Sequence, residues 1–253
     1  MWPDAALSAD KFLGGRLVLR QPVKGYRAGA DPVLLAAAVP ARAGESLLDL
    51  GCGAGTAALC AGARVPGLRL AGLERQPAYA ALAARNAREN GIQMQVHCGD
   101  LSAMPEALRQ AQFHHVIANP PYFRRDASVP ARAHDREGAL GEETPLALWV
   151  EAAAKRCRPG GSVTFIHRAE RLPELMAAFA DRLGSLELKP LVPRAGRESQ
   201  LVLLRGRKGG RAAFRLHAGL LLHAGEIHSD QGSDYTAEAS RIMRAAGALD
   251  FAP

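Results

Sequence analysis

The stretch Leu47–Thr56, which reads LLDLGCGAGT, places three alternating glycines directly after an apolar run. The run Ser46–Leu50 predicts a short buried strand, and Gly55–Ala63 is typical of a helix. Residues 49–55 then form a tight strand-to-helix turn, in which glycines adopt positive φ values and let a ligand contact the main chain. The spacing Gly-x-Gly-x-Gly differs from the Gly-x-Gly-x-x-Gly of dinucleotide-binding folds. We expect a ligand-binding turn, with a purely structural turn as the alternative.

Two further apolar runs each end in an acidic residue. Leu68–Leu73 is followed by Glu74, and Gln93–Cys98 is followed by a glycine and Asp100. A carboxylate at the end of the first of these strands is placed to accept hydrogen bonds from both hydroxyls of a ribose. A carboxylate after the second can bind an exocyclic adenine amine. Both positions favour a nucleoside-like ligand at the glycine turn.

The segment Asn119–Tyr122, which reads NPPY, follows a fourth predicted strand, Phe113–Ala118. Prolines fix φ near about −65° and lack an N–H, so this turn is stiff. An exocyclic amine is a poor nucleophile because its lone pair is delocalised into the ring. The Asn119 amide oxygen and the Pro120 carbonyl can accept both amino hydrogens, which makes the nitrogen more tetrahedral without a strong general base. Tyr122 can stack on the ring, a contact of about 1–3 kcal/mol.

In this order, the glycine turn, the two acidic residues and the NPPY segment resemble the S-adenosylmethionine-dependent methyltransferases of the Rossmann-like class. The resemblance implies S-adenosylmethionine as cofactor. Members with NPPY methylate planar nitrogens, namely adenine N6, cytosine N4, guanine N2 or glutamine N5. Most of the rate gain would come from positioning the amine in line with the methyl sulfonium.

A narrower resemblance covers nearly the whole chain. Residues Gly25–Leu35, Phe123 with the Arg- and His-bearing loop after it, Pro193-Arg194 and Tyr235-Thr236 are similar to the tRNA adenine-N6 methyltransferases that act on valine tRNA beside the anticodon. Tyr26–Leu35 is also similar to neighbouring base and glutamine methyltransferases. The resemblance implies methyl transfer to the N6 of an adenine in tRNA.

The resemblance also implies roles for particular residues. Tyr26 and Arg27 are expected near the cofactor carboxylate, Glu74 on the ribose and Asp100 on the adenine amine. The expected catalytic residues are Asn119, Pro120, Pro121 and Tyr122. The expected cofactor-binding residues are Tyr26, Arg27, Asp49, Gly51, Gly53, Gly55, Glu74, Asp100, Leu101 and Asn119.

The alternation of strands and helices predicts a mostly parallel α/β sheet with helices on both faces and an antiparallel last hairpin. The resemblance implies the seven-stranded class I methyltransferase fold, with the ligand at the carboxyl ends of the first and fourth strands. We expect an N-terminal lead and helix at 1–45 that packs on the cofactor site, a core at 46–207 and a C-terminal extension at 208–253. Asp31 is expected to cap a helix, and Phe214–His223 to form one more strand.

Composition excludes several classes of protein. A chain of 253 residues, 48% hydrophobic, suits one large α/β domain. No apolar run approaches the ~20 residues of a membrane span, and no secretory leader is visible, so we expect a cytoplasmic protein without membrane contact. A monomer is favoured. No metal is expected, because the four cysteines lack metal-ligand spacing and the histidines near strand ends suit the core or its rim. These residues are Cys52, Cys60, Cys98, Cys157, His97, His114 and His115.

Positive charge is concentrated late in the chain. The net charge is +7, and the segment Lys189–Arg215 carries eight basic residues against the single acid Glu198. Such a segment attracts a phosphate backbone, although arginines on an edge strand also prevent aggregation. With the resemblance, this predicts tRNA as partner. The expected RNA-binding residues are Phe123, Arg124, Arg125, Arg132, Arg194, Arg197, Arg207 and Lys208.

The segment Tyr122–Glu143 is as long as a loop becomes without structure of its own, and it holds several arginines. We expect it to close over nucleic acid as a lid, with a solvated surface loop as the alternative.

Other functions stay open at this point. A glutamine-N5 methyltransferase of release factors shares the motifs but normally has a helical N-terminal domain, for which little chain precedes Ser46. A guanine-N2 rRNA methyltransferase normally has a duplicated domain. A DNA methyltransferase would carry a target-recognition domain. A non-catalytic RNA-binding protein would not need Asp49, Glu74, Asp100 and Asn119 together.

Overall fold

The computed structural model describes residues 2–122, 144–225 and 234–251. The expected lid, residues 122–143, lies almost entirely outside the described residues. The strands and helices, in chain order, are β1 Leu7–Phe12, β2 Leu17–Pro22, α1 Asp31–Ala37, β3 Ser46–Leu50, α2 Thr56–Arg64, β4 Arg69–Glu74, α3 Pro77–Glu89, β5 Met94–Cys98, α4 Glu106–Gln110, β6 Phe113–Ala118, α5 Leu146–Arg156, β7 Cys157–Arg168, α6 Leu172–Arg182, β8 Gly184–Val192, β9 Leu201–Arg207, β10 Arg215–Leu216, β11 Leu220–Leu221 and α7 Ala237–Ala245.

The central sheet has seven long strands in the order β5-β4-β3-β6-β7-β9-β8, with the short β10 and β11 paired to β8. β9 pairs antiparallel with β7 and β8, whereas the other pairings are parallel. Because the strand order reverses between β3 and β6, a crevice opens at their carboxyl ends. The predicted class I methyltransferase fold is confirmed.

Alternate residues of the buried strands face two separate cores. In β3, Leu47 packs with α1 and α2, whereas Leu48 and Leu50 pack on the other face with α4, α5 and α6. All three leucines are fully buried. A strand that is apolar on both faces is typical of a parallel sheet covered by helices on both sides.

The residues before β3 and at the end of the chain join the first of these cores. The Leu249 amide donates to the Ala37 carbonyl at 2.9 Å. Phe251 is buried under the guanidinium of Arg205, whose Cζ lies 4.1 Å from the ring centre. These contacts attach the N-terminal helix and the C-terminal segment to the sheet.

The N-terminal hairpin of β1 and β2 is attached to α3 by two asparagines. Asn86 accepts from the Arg20 amide at 2.7 Å and donates to the Arg20 carbonyl at 3.1 Å, and Asn90 makes the same pair of bonds with Val18. The two amides therefore satisfy the free edge of β2 as a neighbouring strand would. This attachment fixes the segment that leads into the crevice.

Two predictions about local structure differ from the structure. Asp31 is the first helical residue of α1 and makes no capping bond, so the expected N-cap is wrong. Phe214–His223 holds two strands of two residues each instead of one, since Phe214 and Leu216 are exposed and only Leu220 is buried. β1, with the sequence LSADKF, pairs antiparallel with β2 and so completes a hairpin in the N-terminal lead. Among the described helices, none is both long and apolar enough to cross a bilayer.

Candidate active site

A cleft of about 360 Å³ opens at the carboxyl ends of β3, β4, β5 and β6. It brings together every expected catalytic residue and every expected cofactor residue except Gly55, which instead packs near Ala83 and Leu59. The expected residues that line it are Tyr26, Arg27, Asp49, Gly51, Gly53, Glu74, Asp100, Leu101, Asn119, Pro120, Pro121 and Tyr122.

The glycine turn forms the floor of the cleft. The amides of Gly51 and Cys52 donate to the Leu73 carbonyl at 2.8 and 3.0 Å, and these two bonds attach the turn to β4. Both Gly51 and Gly53 have positive φ, at 69° and 55°. A Cβ on Gly53 would meet no atom of the described residues within 4 Å, so its open side faces the cleft. A ligand can therefore approach the main chain at Gly53.

Glu74, at the end of β4, is buried and holds the turn. Its Oε2 accepts from the Gly53 amide at 2.9 Å, and its Oε1 accepts from the Gln76 amide at 2.8 Å. Each carboxylate oxygen has more than one acceptor position. Glu74 can therefore still accept hydroxyl donors from the cleft.

Asp49 lies beneath the turn and is 3% exposed. Its Oδ2 accepts from the Ala58 amide in the first turns of α2 at 3.2 Å. Burial, together with the nearby carboxylate of Glu74, raises the pKa of Asp49 to about 8, although the bond from Ala58 opposes this rise. The buried position of Asp49 therefore favours its protonated form.

Asp100 follows β5 and has one oxygen available. Its Oδ1 accepts from the Ser102 amide at 2.8 Å and from the Ser102 hydroxyl at 2.5 Å. These bonds lower the pKa of Asp100, so it is ionised. No described residue donates to Oδ2, which leaves a charged acceptor for an amine in the cleft.

Asn119 sits at the end of β6 with its amide oxygen buried. No described residue donates a hydrogen bond to Oδ1. A buried acceptor without a donor costs about 1–3 kcal/mol, so such atoms are rare outside functional sites. The site therefore has an unused acceptor at the position where the sequence predicts amine binding.

Tyr122 is held by two residues that the sequence did not single out for the site. Its hydroxyl donates to Oδ2 of Asp31, at the start of α1, at 2.6 Å. Its ring meets the buried His167 of β7 edge to face, with centroids 5.3 Å apart. Burial, with the Asp31 carboxylate beside it, raises the pKa of Tyr122 far above its usual range.

Trp149 of α5 is a further lining residue that the sequence did not reveal. A Cβ on Gly51 would lie 2.6 Å from Cη2 of this indole, so the ring abuts the glycine turn. The indole Nε1 is buried and has no acceptor among the described residues. Helical periodicity predicted α5, but no local pattern indicates that one of its side chains reaches a turn about 100 residues earlier.

Tyr26 and Arg27 lie at the rim. Tyr26 is 49% exposed, and its carbonyl accepts from the Tyr79 hydroxyl at 3.0 Å. The Arg27 guanidinium is bound to Asp10 at 2.7 Å and to the Pro22 carbonyl at 3.2 Å. Both residues are therefore anchored to the hairpin and to α3.

The expected RNA-binding residues fall into four groups. Arg194 is buried and bound to Asp234 and to the Ala224 carbonyl, and it holds the pKa of Asp234 well below its usual range. Arg197 is exposed between β8 and β9, at the same sheet edge as the cleft. Arg207 and Lys208 lie at the opposite edge, since Arg207 pairs with Gly184, the first residue of β8. Phe123, Arg124, Arg125 and Arg132 are outside the described residues.

Comparison with known proteins identifies the family. Residues 29–180 match the family model of the methyltransferase small domain. The chain belongs to this family. It is 31% identical to the tRNA1(Val) (adenine(37)-N6)-methyltransferase of Actinobacillus succinogenes, over 70% of this chain and 75% of that protein. A Porphyromonas gingivalis protein of the same name is 29% identical over 83% of this chain and 85% of its own length.

Solved structures agree on the fold. A protein from Agrobacterium tumefaciens described as a predicted O-methyltransferase matches 87% of this chain and 98% of its own, with a TM-score of 0.69 and 26% identity. A 16S rRNA N2 methyltransferase from Thermus thermophilus, in complex with AdoMet and guanosine, matches 80% of this chain and 50% of its own, with a TM-score of 0.55 and 21% identity.

The chain is thus an S-adenosylmethionine-dependent N-methyltransferase. Within the described residues, three features of its cleft fit the cofactor: the open side of Gly53, the Oδ2 of Asp100, and the carboxyl groups of Glu74 and Asp49 beside the turn. A cofactor with an adenine amine and a positively charged methionine end needs these features. Bound S-adenosylmethionine supplies an electrophilic methyl group.

Proposed function

We propose that this methyltransferase modifies the exocyclic N6 of an adenine in tRNA, beside the anticodon. The observation that carries the proposal is the buried Oδ1 of Asn119, which lines the cleft and receives no bond from a described residue. An amide oxygen in that position is a neutral acceptor suited to an amino group. The names of the relatives support adenine in tRNA as the carrier of that group.

In this proposal the chain's residues orient two amines. Asn119 and the Pro120 carbonyl accept the two hydrogens of the target amine, and Tyr122 stacks on its ring. Asp100 accepts the adenine amine of the cofactor through Oδ2, while Glu74 accepts the ribose hydroxyls. The main chain at Gly51 and Gly53 contacts the methionine part, with Asp49, Tyr26, Arg27 and Leu101 around it.

The tRNA is proposed to approach the carboxyl edge of the sheet. Arg197 lies at this edge, as does His223, whose ring stacks on Tyr235 with centroids 4.9 Å apart. Arg194 supports that stack through its bond to Asp234. Arg207 and Lys208 reach the RNA only if its body extends across the sheet. The loop residues Phe123, Arg124, Arg125 and Arg132 stay candidates from sequence.

The test is incubation of the protein with labelled S-adenosylmethionine and total tRNA from a strain that lacks it. Digestion to nucleosides is expected to give labelled N6-methyladenosine. Label in N2-methylguanosine, or only in the glutamine of a release factor, would overturn the proposal. Asn119→Ala protein serves as the control for contaminating activities, because it should bind the cofactor but transfer nothing.

A further inference from the structure

The ring of Tyr122 is fixed by contacts that come from two distant parts of the chain. Its hydroxyl binds Asp31, 91 residues earlier in sequence, and its ring packs against His167, on the neighbouring strand β7. Tyr122 directly follows the two prolines of the NPPY segment, so its backbone is already restricted. Neither Asp31 nor His167 belongs to a sequence motif that the proposed chemistry uses.

We infer that Asp31 and His167 are positioning residues, which hold Tyr122 in the orientation needed to stack on the target base. This inference rests on the proposed function, because it assigns the aromatic surface that would meet the base. Asp31 lines the cleft and binds the Tyr122 hydroxyl there, whereas His167 is buried and packs against the Tyr122 ring. Together they set the tilt of the ring.

The bond from Tyr122 to Asp31 has the length of a strong hydrogen bond. At 2.6 Å it falls in the range of O–H···O bonds to an ionised acceptor. A hydroxyl hydrogen bond lies close to the plane of the phenol, so it stops the ring from turning without covering a face. A tether at this atom therefore orients the ring and leaves it able to stack.

His167 supports the ring as a neutral side chain. Its Nδ1 accepts from the Arg168 amide at 2.8 Å, which places the ring hydrogen on Nε2. No described residue accepts a hydrogen bond from the buried Nε2. Among the described residues, the ring of His167 makes its aromatic contact with Tyr122. Burial, and then the charge of Arg171, lowers the pKa of His167 to about 4. The neutral form of His167 is therefore favoured at neutral pH.

Asp31 has a second oxygen at the cleft. Only Oδ2 is used by Tyr122, and no described residue donates to Oδ1. The start of α1 also favours a negative charge at this position. Asp31 therefore places one carboxylate oxygen on the Tyr122 hydroxyl from the first turn of α1, a helix whose following residues are buried.

The experiment compares Tyr122→Phe, Asp31→Ala and the double variant, with Asp31→Asn as the conservative substitution. Steady-state kinetics with tRNA and calorimetry with S-adenosylmethionine are measured for each. Tyr122→Phe and Asp31→Ala should each lower kcat about tenfold, since small misplacements of a reacting group have effects of this size or larger. The Kd of the cofactor is expected to stay within about twofold, because the bond joins two protein side chains and neither is among the residues proposed to hold the cofactor. Asp31→Asn keeps an acceptor and should lose less.

Non-additivity is the decisive result. If the two residues act through one bond, the double variant is no slower than Tyr122→Phe alone. Multiplied losses, or an unchanged kcat in Tyr122→Phe, would overturn the inference. Tyr122→Phe removes only one oxygen, so it remains informative if Asp31→Ala does not fold. Asp181→Asn, on the exposed face of α6, is the matched control for loss of a carboxylate.

His167→Leu tests the second support, since it keeps the bulk but removes the ring. It should lower kcat and leave cofactor binding unchanged; an unchanged kcat would remove His167 from the inference. A spectroscopic measurement separates the tether from the proposed function. The ring-carbon NMR signal of Tyr122, identified by its loss in Tyr122→Phe, should move in Asp31→Ala even if the acceptor proves not to be tRNA. An unmoved signal would show that the bond is absent in solution.

Discussion

The two histidines at the amino edge of the central sheet differ from several polar residues at its carboxyl edge in how their side chains are bonded. At the amino edge, buried His115 lies between the Ser162 hydroxyl and the Glu45 carboxylate, both at 2.8 Å. Beside it, His114 binds Ser46 at 2.9 Å and Arg158 at 2.7 Å. The hydrogen-bonding capacity of these groups is used within the protein, which stabilises the fold.

At the carboxyl edge, several polar atoms are buried without such partners. Among the described residues, Asn119 Oδ1, Trp149 Nε1 and His167 Nε2 have none, and burial favours the protonated form of Asp49. Polar groups that are removed from water and not bonded destabilise the ligand-free protein. These unbonded polar atoms indicate that the carboxyl edge is adapted to ligands.

The largest expected effect is loss of methyl transfer in Asn119→Ala. Removal of the amine acceptor should lower kcat by more than about a hundredfold, by analogy with the loss of one preorganised hydrogen-bonding group in other active sites. Calorimetry should show S-adenosylmethionine still binding. The matched substitution at the amino edge is His115→Gln, which should cost about 1–3 kcal/mol of stability and leave kcat unchanged.

If Asn119→Ala kept its turnover while His115→Gln lost it, the contrast between the two edges would be false. A measured product, rather than binding alone, is therefore required in both cases.

A second experiment compares two glycines of the same turn. Both substitutions force alanine into a left-handed backbone conformation, which costs about 1–2 kcal/mol in each variant. Gly51→Ala also places a Cβ 2.6 Å from the Trp149 ring, so overpacking should lower its free energy of unfolding by about 1–3 kcal/mol more. The new Cβ in Gly53→Ala meets no atom of the described residues within 4 Å, so only the backbone cost is expected there. Thermal unfolding measures both.

The same pair also tests where the ligand lies. Gly53→Ala should weaken S-adenosylmethionine binding strongly despite its smaller effect on stability, because the new methyl group enters the open space that a ligand needs. Equal loss of stability in the two variants, or full cofactor affinity in Gly53→Ala, would show that the open side of the turn is not the binding surface.

Local chemistry explains why the sequence predicted much of this site. The glycine turn and the NPPY segment each carry their function within a few residues, and the parallel sheet then brings them to one edge. The structure brings both segments, apart from Gly55, to one cleft.

The remaining contacts depend on tertiary packing that no local pattern encodes. Asp31 has the sequence context of a helix cap, yet its partner is Tyr122. Arg194 belongs to a basic segment that predicts a surface, yet it is buried against Asp234. Trp149 has the ordinary periodicity of a helix, and only the packing of α5 places it against Gly51.

A third experiment uses pH to test the acidic floor of the cleft. The folded protein holds the proton of Asp49 up to about pH 8, whereas the ordinary value is 3.8. A raised carboxyl pKa means that the folded state binds more protons, so stability should fall as pH rises from about 4 to about 8. Binding of the positively charged cofactor favours the ionised form, so its affinity should rise over the upper part of that range.

Asp49→Asn should flatten both profiles, since the amide does not titrate. Calorimetry between pH 6 and about 8.5 measures the affinity for the cofactor, which should change by up to about tenfold per pH unit. Thermal unfolding over the same range measures the stability. Parallel profiles in the wild type and in Asp49→Asn would assign the titration to another group.

The smallest expected effect concerns the surface charges at the two edges. If tRNA contacts only the carboxyl edge, Arg197→Ala should weaken tRNA binding and reduce the slope of log affinity against log salt by about 1, as for loss of one phosphate contact. Arg207→Ala and Lys208→Ala should leave both quantities unchanged. Their side chains bind the Gly160 and Cys157 carbonyls at the amino edge, far along the strands from Asn119. Equal losses at both edges would instead mean that the tRNA body wraps across the sheet, and the contrast would then hold for chemistry but not for RNA binding.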